Sequence, residues 1–146
     1  HTPTRRQRQM CIRDRLMFAS RVELIKQKIQ TSKSDYLLLD RFYDASVAYQ
    51  GYGRNLSISF IESLISFINC PIPNLSILLD ISVEEGFSRK TNDQIDRIES
   101  SSKIFFQRVR KGYIKIAKDH KDRFIKINAS MDIEEIHNEI INHINL

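Results

Sequence analysis

The stretch that decides the reading is Leu37-Leu38-Leu39 followed by Asp40-Arg41-Phe42-Tyr43-Asp44-Ala45-Ser46-Val47-Ala48-Tyr49-Gln50-Gly51-Tyr52-Gly53-Arg54. A short, continuously apolar run reads as a strand covered on both faces. An acid and a base at its end stand at the carboxyl edge of an open α/β sheet, where such sheets bind ligands. A guanidinium presents a planar fork that matches two phosphate oxygens. A carboxylate beside it can hold a magnesium-bound water or fix the arginine. Asp-Arg at a strand end is also a common structural ion pair, and the residues from Ala48 to Arg54 tip the balance toward a site.

The pattern on either side fits a parallel sheet. Phe18, Val22, Ile25 and Ile29 recur at helical spacing and predict a helix over 16–30. Tyr36 to Asp40 reads as a strand, and a short helix is expected over 45–49. Ser57 to Asn69 reads as a helix that Pro71 and Pro73 end. Leu75 to Ile81 is a second buried strand. Ser82-x-x-Glu85 has the form of a capping box and opens a helix reaching about Lys90. A long helix is expected over 98–119, with Phe106, Val109, Tyr113 and Ile116 on one stripe. Phe124 to Asn128 is a third strand, and Asp132 caps a last helix over 133–144. Helices alternating with strands give an α/β fold, a parallel sheet with helices on both faces.

Composition narrows the function classes. The 146 residues suit one domain, and no apolar run approaches the ~18 residues that cross a membrane. The net charge of +5 invites a nucleic-acid partner, yet residues 1–15 carry +4 of it and the other 131 residues only +1. The basicity therefore sits in an Arg/Gln-rich leader, expected to be disordered and foreign to the native sequence, with residues 16–146 as the folded part. No nucleic-acid and no membrane partner is expected. The basic start has no apolar region behind it, so no signal peptide and a cytoplasmic location are expected. Cys11 and Cys70 read as free thiols, and the four histidines as surface residues without zinc spacing.

Several motifs in order resemble the thymidylate kinases, P-loop enzymes that phosphorylate dTMP. Leu16-Met17-Phe18-Ala19-Ser20-Arg21 is similar to the family's helix that supplies an aromatic stack and an arginine for thymine. Asp40-Arg41-Phe42 resembles its Asp-Arg-aromatic motif, and Tyr49-Gln50-Gly51 its Tyr-Gln-Gly. Asp96-Arg97-Ile98-Glu99 resembles the segment that closes its lid, and Asn128-Ala129-Ser130 stands where the family has a loop beside adenine. The resemblance implies ATP and Mg2+ as cofactors, dTMP as substrate and a homodimer at full length. It implies that Arg41 holds the acceptor phosphate and Asp40 supports the magnesium. Phe18, Arg21, Ser46, Tyr49 and Gln50 would read the nucleoside. Arg97 and Glu99 would organise the lid, its phosphoryl-stabilising cation being Arg89, Lys90 or a residue of the missing segment, and Asn128, Ala129 and Ser130 would serve the ATP side. Each has a plainer alternative: Phe18 and Tyr49 as core, Arg21 as a solvated helix residue, Arg89 and Lys90 as a helix end that favours cations.

The sequence also departs from the family. Ala45 stands where many members have Ser, and Asn128 where Asp is usual. The lid segment 90–94 is poorer in arginine. No Gly-x-x-x-x-Gly-Lys-Ser/Thr occurs in the 146 residues. Roughly sixty residues, two βα units, are expected to be missing ahead of residue 16. The missing first strand would lie between 36–40 and 75–81, leaving an inactive, poorly stable piece with two unpaired strand edges. The rival readings are a kinase of another base specificity, a non-catalytic nucleotide-binding protein, and a nucleic-acid module that uses the leader.

Overall fold

The computed structural model describes residues 16–89 and 101–144. Helix α1 covers 16–24 and continues as a π-helical turn over Ile25–Ile29. Helix α2, Tyr43–Ser46, runs straight into a second π segment, Val47–Gly53, so the expected helix over 45–49 is longer and wider than predicted. Helix α3 is Ile58–Phe67, strand β1 Ser76–Asp80, helix α4 Val83–Ser88, and helix α5 Ser101–Asp119. Strand β2, Phe124–Asn128, and helix α6, Ile133–Ile144, complete the chain.

Local signals start the helices where the sequence puts them. The Ser57 side chain accepts from the Phe60 N–H, and Ser82 from the Glu85 N–H. Asp132 Oδ1 accepts from the Glu135 N–H at 2.8 Å, while the Asp132 N–H donates to Glu135 Oε2 at 3.1 Å. This reciprocal pair satisfies two donors that a helix start leaves open.

Strands β1 and β2 pair in parallel, with Ser76 opposite Phe124 and Asp80 opposite Asn128. Both α5 and α6 pack on β2, and α5 reaches β1 as well. The inward residue Ile127 is fully buried. Strand β1 is covered less completely than the expectation of a strand buried on both faces, since Leu79 is 48% exposed.

Tyr36 to Asp40 departs further. It forms no strand, and among the described residues only β1 and β2 pair. Leu38 is 95% exposed, and Tyr36 and Leu37 are exposed too. A strand is defined by its neighbour's hydrogen bonds, so an apolar run with no strand beside it keeps its composition and loses its structure.

The core lies between α5 and the π segment. Phe18, Val47, Ala48, Ile61, Val109 and Ile116 form one buried cluster. Ile25, Phe42 and Tyr43 form a second. The π segment is closed by the Leu56 N–H donating to the Gln50 carbonyl at 2.9 Å. Two glycines make the contact with α5 close. A Cβ on Gly53 would come within 2.7 Å of Phe105 and Val109, and one on Gly112 within 2.7 Å of Tyr52. Among the described residues no helix is long and apolar enough to cross a membrane. His120, His137 and His143 are exposed, as expected.

Candidate functional site

The residues from Asp40 to Gln50 are brought together by α2, the π segment and α1. Arg41 is exposed and adopts a left-handed backbone, φ 51°. Non-glycine residues pay for that conformation, and such strain gathers at functional sites. The Arg41 guanidinium lies 5.1 Å from the Tyr49 ring centroid, a cation–π contact. Tyr49 is in turn edge-packed by Phe105, Phe106 and Tyr113, with ring centroids 6.0, 6.5 and 6.2 Å away. Desolvation pushes the Tyr113 phenol up to about 12, with the neighbouring Tyr49 adding to the shift. These ring contacts place α5 against Tyr49, at the edge of the site.

Arg21 is buried rather than solvated. Its Nη1 donates to Ser46 Oγ at 3.1 Å and its Nη2 to the Phe42 carbonyl at 3.4 Å. Its guanidinium lies over the rings of Phe18, at 5.0 Å, and Phe42, at 5.6 Å. Burial lowers its pKa, as expected for a cation removed from water. Phe18 itself is buried in the main core. Gln50 is buried, and its Nε2 donates to Met17 Sδ at 3.4 Å. The π geometry sets Tyr49 and Gln50 apart from an ordinary helix register, in keeping with the frequent placement of such segments at sites.

Arg89, Asn128, Ala129 and Ser130 meet at a second place. Arg89 Nη1 donates to the Ala129 carbonyl at 2.8 Å, and Nη2 to Glu85 Oε1 at 2.9 Å. Asn128 Oδ1 accepts from the Ser130 N–H at 3.0 Å, and Ser130 Oγ donates to Glu85 Oε2 at 2.7 Å. An open groove of about 600 Å³ lies here, lined by Arg89 and residues 130–134. None of the Asp40–Gln50 group lines it. Arg97, Glu99 and Lys90 lie outside the described residues.

Two ion pairs had no place in the sequence reading. Asp80, the last residue of β1, accepts from Arg110 Nε and Nη2 at 2.7 and 3.1 Å, with Lys126 Nζ 3.6 Å away. The Arg110 hydrogen bonds hold its carboxyl below the usual range. Only the place of Asp80, at the carboxyl end of β1, could have drawn attention to it from the sequence; its partner could not be read there. Asp44 and Arg123 form the other pair, 79 residues apart in sequence, and nothing local marks it. Among the described residues no ion pair engages Asp40 or Arg41, whereas Asp80 is occupied by two cations.

The sequence model of the family "Thymidylate kinase" matches residues 4–140 of the chain. The chain belongs to the thymidylate kinase family. It is 38% identical over 130 residues to the thymidylate kinase of Kosmotoga olearia, covering 86% of this chain and 62% of that one. It is 36% identical over 142 residues to the thymidylate kinase of Chlorobaculum tepidum, covering 88% and 66%. The crystal structure of thymidylate kinase from Ehrlichia chaffeensis superposes with a TM-score of 0.72 at 26% identity, covering 93% of this chain and 65% of that one. The chain thus spans less than two thirds of the length of these thymidylate kinases. The α/β fold with a parallel sheet is the family's.

Proposed function

We propose that this chain carries the acceptor side of a dTMP kinase, the enzyme that moves the γ-phosphoryl of ATP onto the 5′-phosphate of dTMP. The single observation that carries the reading is the convergence on one segment of Arg41, strained and stacked on Tyr49, and buried Arg21, bonded to Ser46. Arg41 takes the dTMP phosphate through its guanidinium fork. Arg21, Ser46, Tyr49 and Gln50 present the donors and rings that receive thymine and deoxyribose, with Phe18 beneath Arg21. Phosphoryl transfer is mostly positioning and charge neutralisation, which is what such a set supplies.

Asp40 suits Mg2+, because that ion keeps most of its water and takes one or two carboxylates plus substrate phosphates. When bound, the ion neutralises charge on the phosphates. Arg89 and the Asn128–Ser130 loop, beside the open groove, form the ATP side of the reading. Arg97 and Glu99 belong to the lid in this reading, with Arg89 or Lys90. Residues 1–15 have no role in it. Exposed Phe60 and Phe67 on α3 and Leu24 on α1 support a homodimer through these helices, and the reaction belongs in the cytoplasm.

The 146 residues contain no phosphate-cradling Gly-Lys-Ser/Thr loop, so the chain alone is expected to bind dTMP without forming dTDP. Titration calorimetry with dTMP, thymidine and dUMP, beside chromatography for dTDP, tests this. Binding of dTMP, with thymidine far weaker and Arg41→Ala down at least about tenfold, is the expected result. Binding of dTMP unchanged in Arg41→Ala, or no binding, overturns the reading.

A further inference from the structure

Arg123 is 7% exposed and precedes β2 directly. Its Nη1 and Nη2 donate to Asp44 Oδ2 and Oδ1 at 2.9 and 2.8 Å, and Nη1 also donates to Ser76 Oγ at 2.9 Å. The guanidinium lies 4.7 Å from the Phe124 ring centroid and 5.6 Å from that of Tyr43. One side chain thus ties α2 to the first residues of both strands. Asp44 raises the pKa of Arg123, chiefly through the hydrogen bonds.

A pair this dry is a poor source of stability, because two desolvated charges give back little more than they lose. What a two-point fork supplies is direction. Helix α2 needs that. It is the first turn of the helical run that continues through the π segment, and its N-cap residue Phe42 offers no side-chain bond to the open donors of that turn. Asp44 sits in the first turn, three residues after Arg41. Both carboxylate oxygens accept from Arg123, which fixes the plane of the Asp44 carboxylate.

We infer that Arg123 is a positioning residue: by gripping Asp44 it fixes the first turn of α2 and thereby holds Arg41 over Tyr49. Its meaning for catalysis rests on the acceptor-site reading of Arg41, but the placement of Arg41 is measurable without any nucleotide.

The test is NMR on the 146-residue chain, following the Arg41 Nε–Hε signal, which the Tyr49 ring current displaces. Tyr49→Leu supplies the reference for a lost stack. In Arg123→Lys, which keeps the charge but loses the fork, and in Asp44→Asn, the Arg41 signal is expected to move toward the Tyr49→Leu value. The amides of 76–80 and 124–128 are expected to stay in place. An unmoved Arg41 signal in both variants overturns the inference, as does a collapse of the strand amides in both, which would make the pair a structural strut. Where the wild-type chain binds dTMP, both variants are expected to weaken it about tenfold, the scale of a lost charge-assisted contact. Failure of the wild type to bind dTMP would overturn the acceptor-site reading alone.

Discussion

Arg41 holds its guanidinium 5.1 Å from the centre of the Tyr49 ring, and it does so from a backbone with φ 51°. The two facts oppose each other energetically. The left-handed backbone costs on the order of 1 kcal/mol or more for a residue with a Cβ. The ring contact returns about 0.5–1 kcal/mol at an exposed site.

Arg41→Gly removes both at once. Its thermal midpoint is therefore expected to stay near that of the parent chain, while dTMP binding is lost. Calorimetric titration and a melting curve on one sample decide it. A midpoint many degrees lower would mean that the stack outweighs the strain.

Gly112→Ala is expected to destabilise although it lies inside α5, where Ala normally gains about 0.5–1 kcal/mol over Gly. The new Cβ meets three atoms of Tyr52 at 2.7 Å. Overpacking of that kind costs about 1–3 kcal/mol. Gly86→Ala in α4 is the control, because only Ile81 Cγ2 approaches its Cβ, at an ordinary 3.7 Å. Urea denaturation of the two variants should give shifts of opposite sign.

Asp80 makes part of the acid stability. Its folded pKa is depressed, first by the Arg110 hydrogen bonds. A depressed carboxyl contributes stability that is fully present above its unfolded pKa, ~3.9, and is lost as pH falls through the lower folded value. Asp80→Asn should accordingly be less stable than the parent near neutral pH, and the gap should close below about pH 4. A gap that persists at low pH would show that the charge is not what the pair depends on. Unfolding curves across this range supply the measurement.

Arg21→Lys tests the base side of the site. The ammonium cannot reproduce two bonds, to Ser46 Oγ and the Phe42 carbonyl, together with contacts to two rings. Affinity for dTMP is expected to fall about tenfold or more, with inorganic phosphate binding unchanged. Equal losses for both ligands would place the effect on the fold rather than on the base.

What could be read from the chain alone was what a few neighbouring residues decide. Ser57, Ser82 and Asp132 start their helices through bonds to a residue three positions on. The apolar stripe of α5 buries Val109 and Ile116. The alternation of helix and strand foretold the parallel pairing of β1 with β2, and several motifs in order, from Leu16–Arg21 to Asn128–Ser130, foretold the family. Tyr36–Asp40 shows the limit of that reasoning. Its three leucines specify a buried strand, but a strand exists only beside another, and none among the described residues supplies the bonds.

Tertiary structure alone decided the rest, for reasons of distance and shape. Arg123 reaches Asp44 across 79 residues, and Arg110 reaches Asp80 across 30, so neither pairing can be read from neighbouring residues. The close seating of Val47–Gly53 on α5 at Gly53 and Tyr52 likewise joins residues far apart in the chain. Local sequence determines which residues carry charge and which turn begins a helix. Only packing decides which charges meet, because a guanidinium takes its partner from whatever the folded chain brings within about 3 Å.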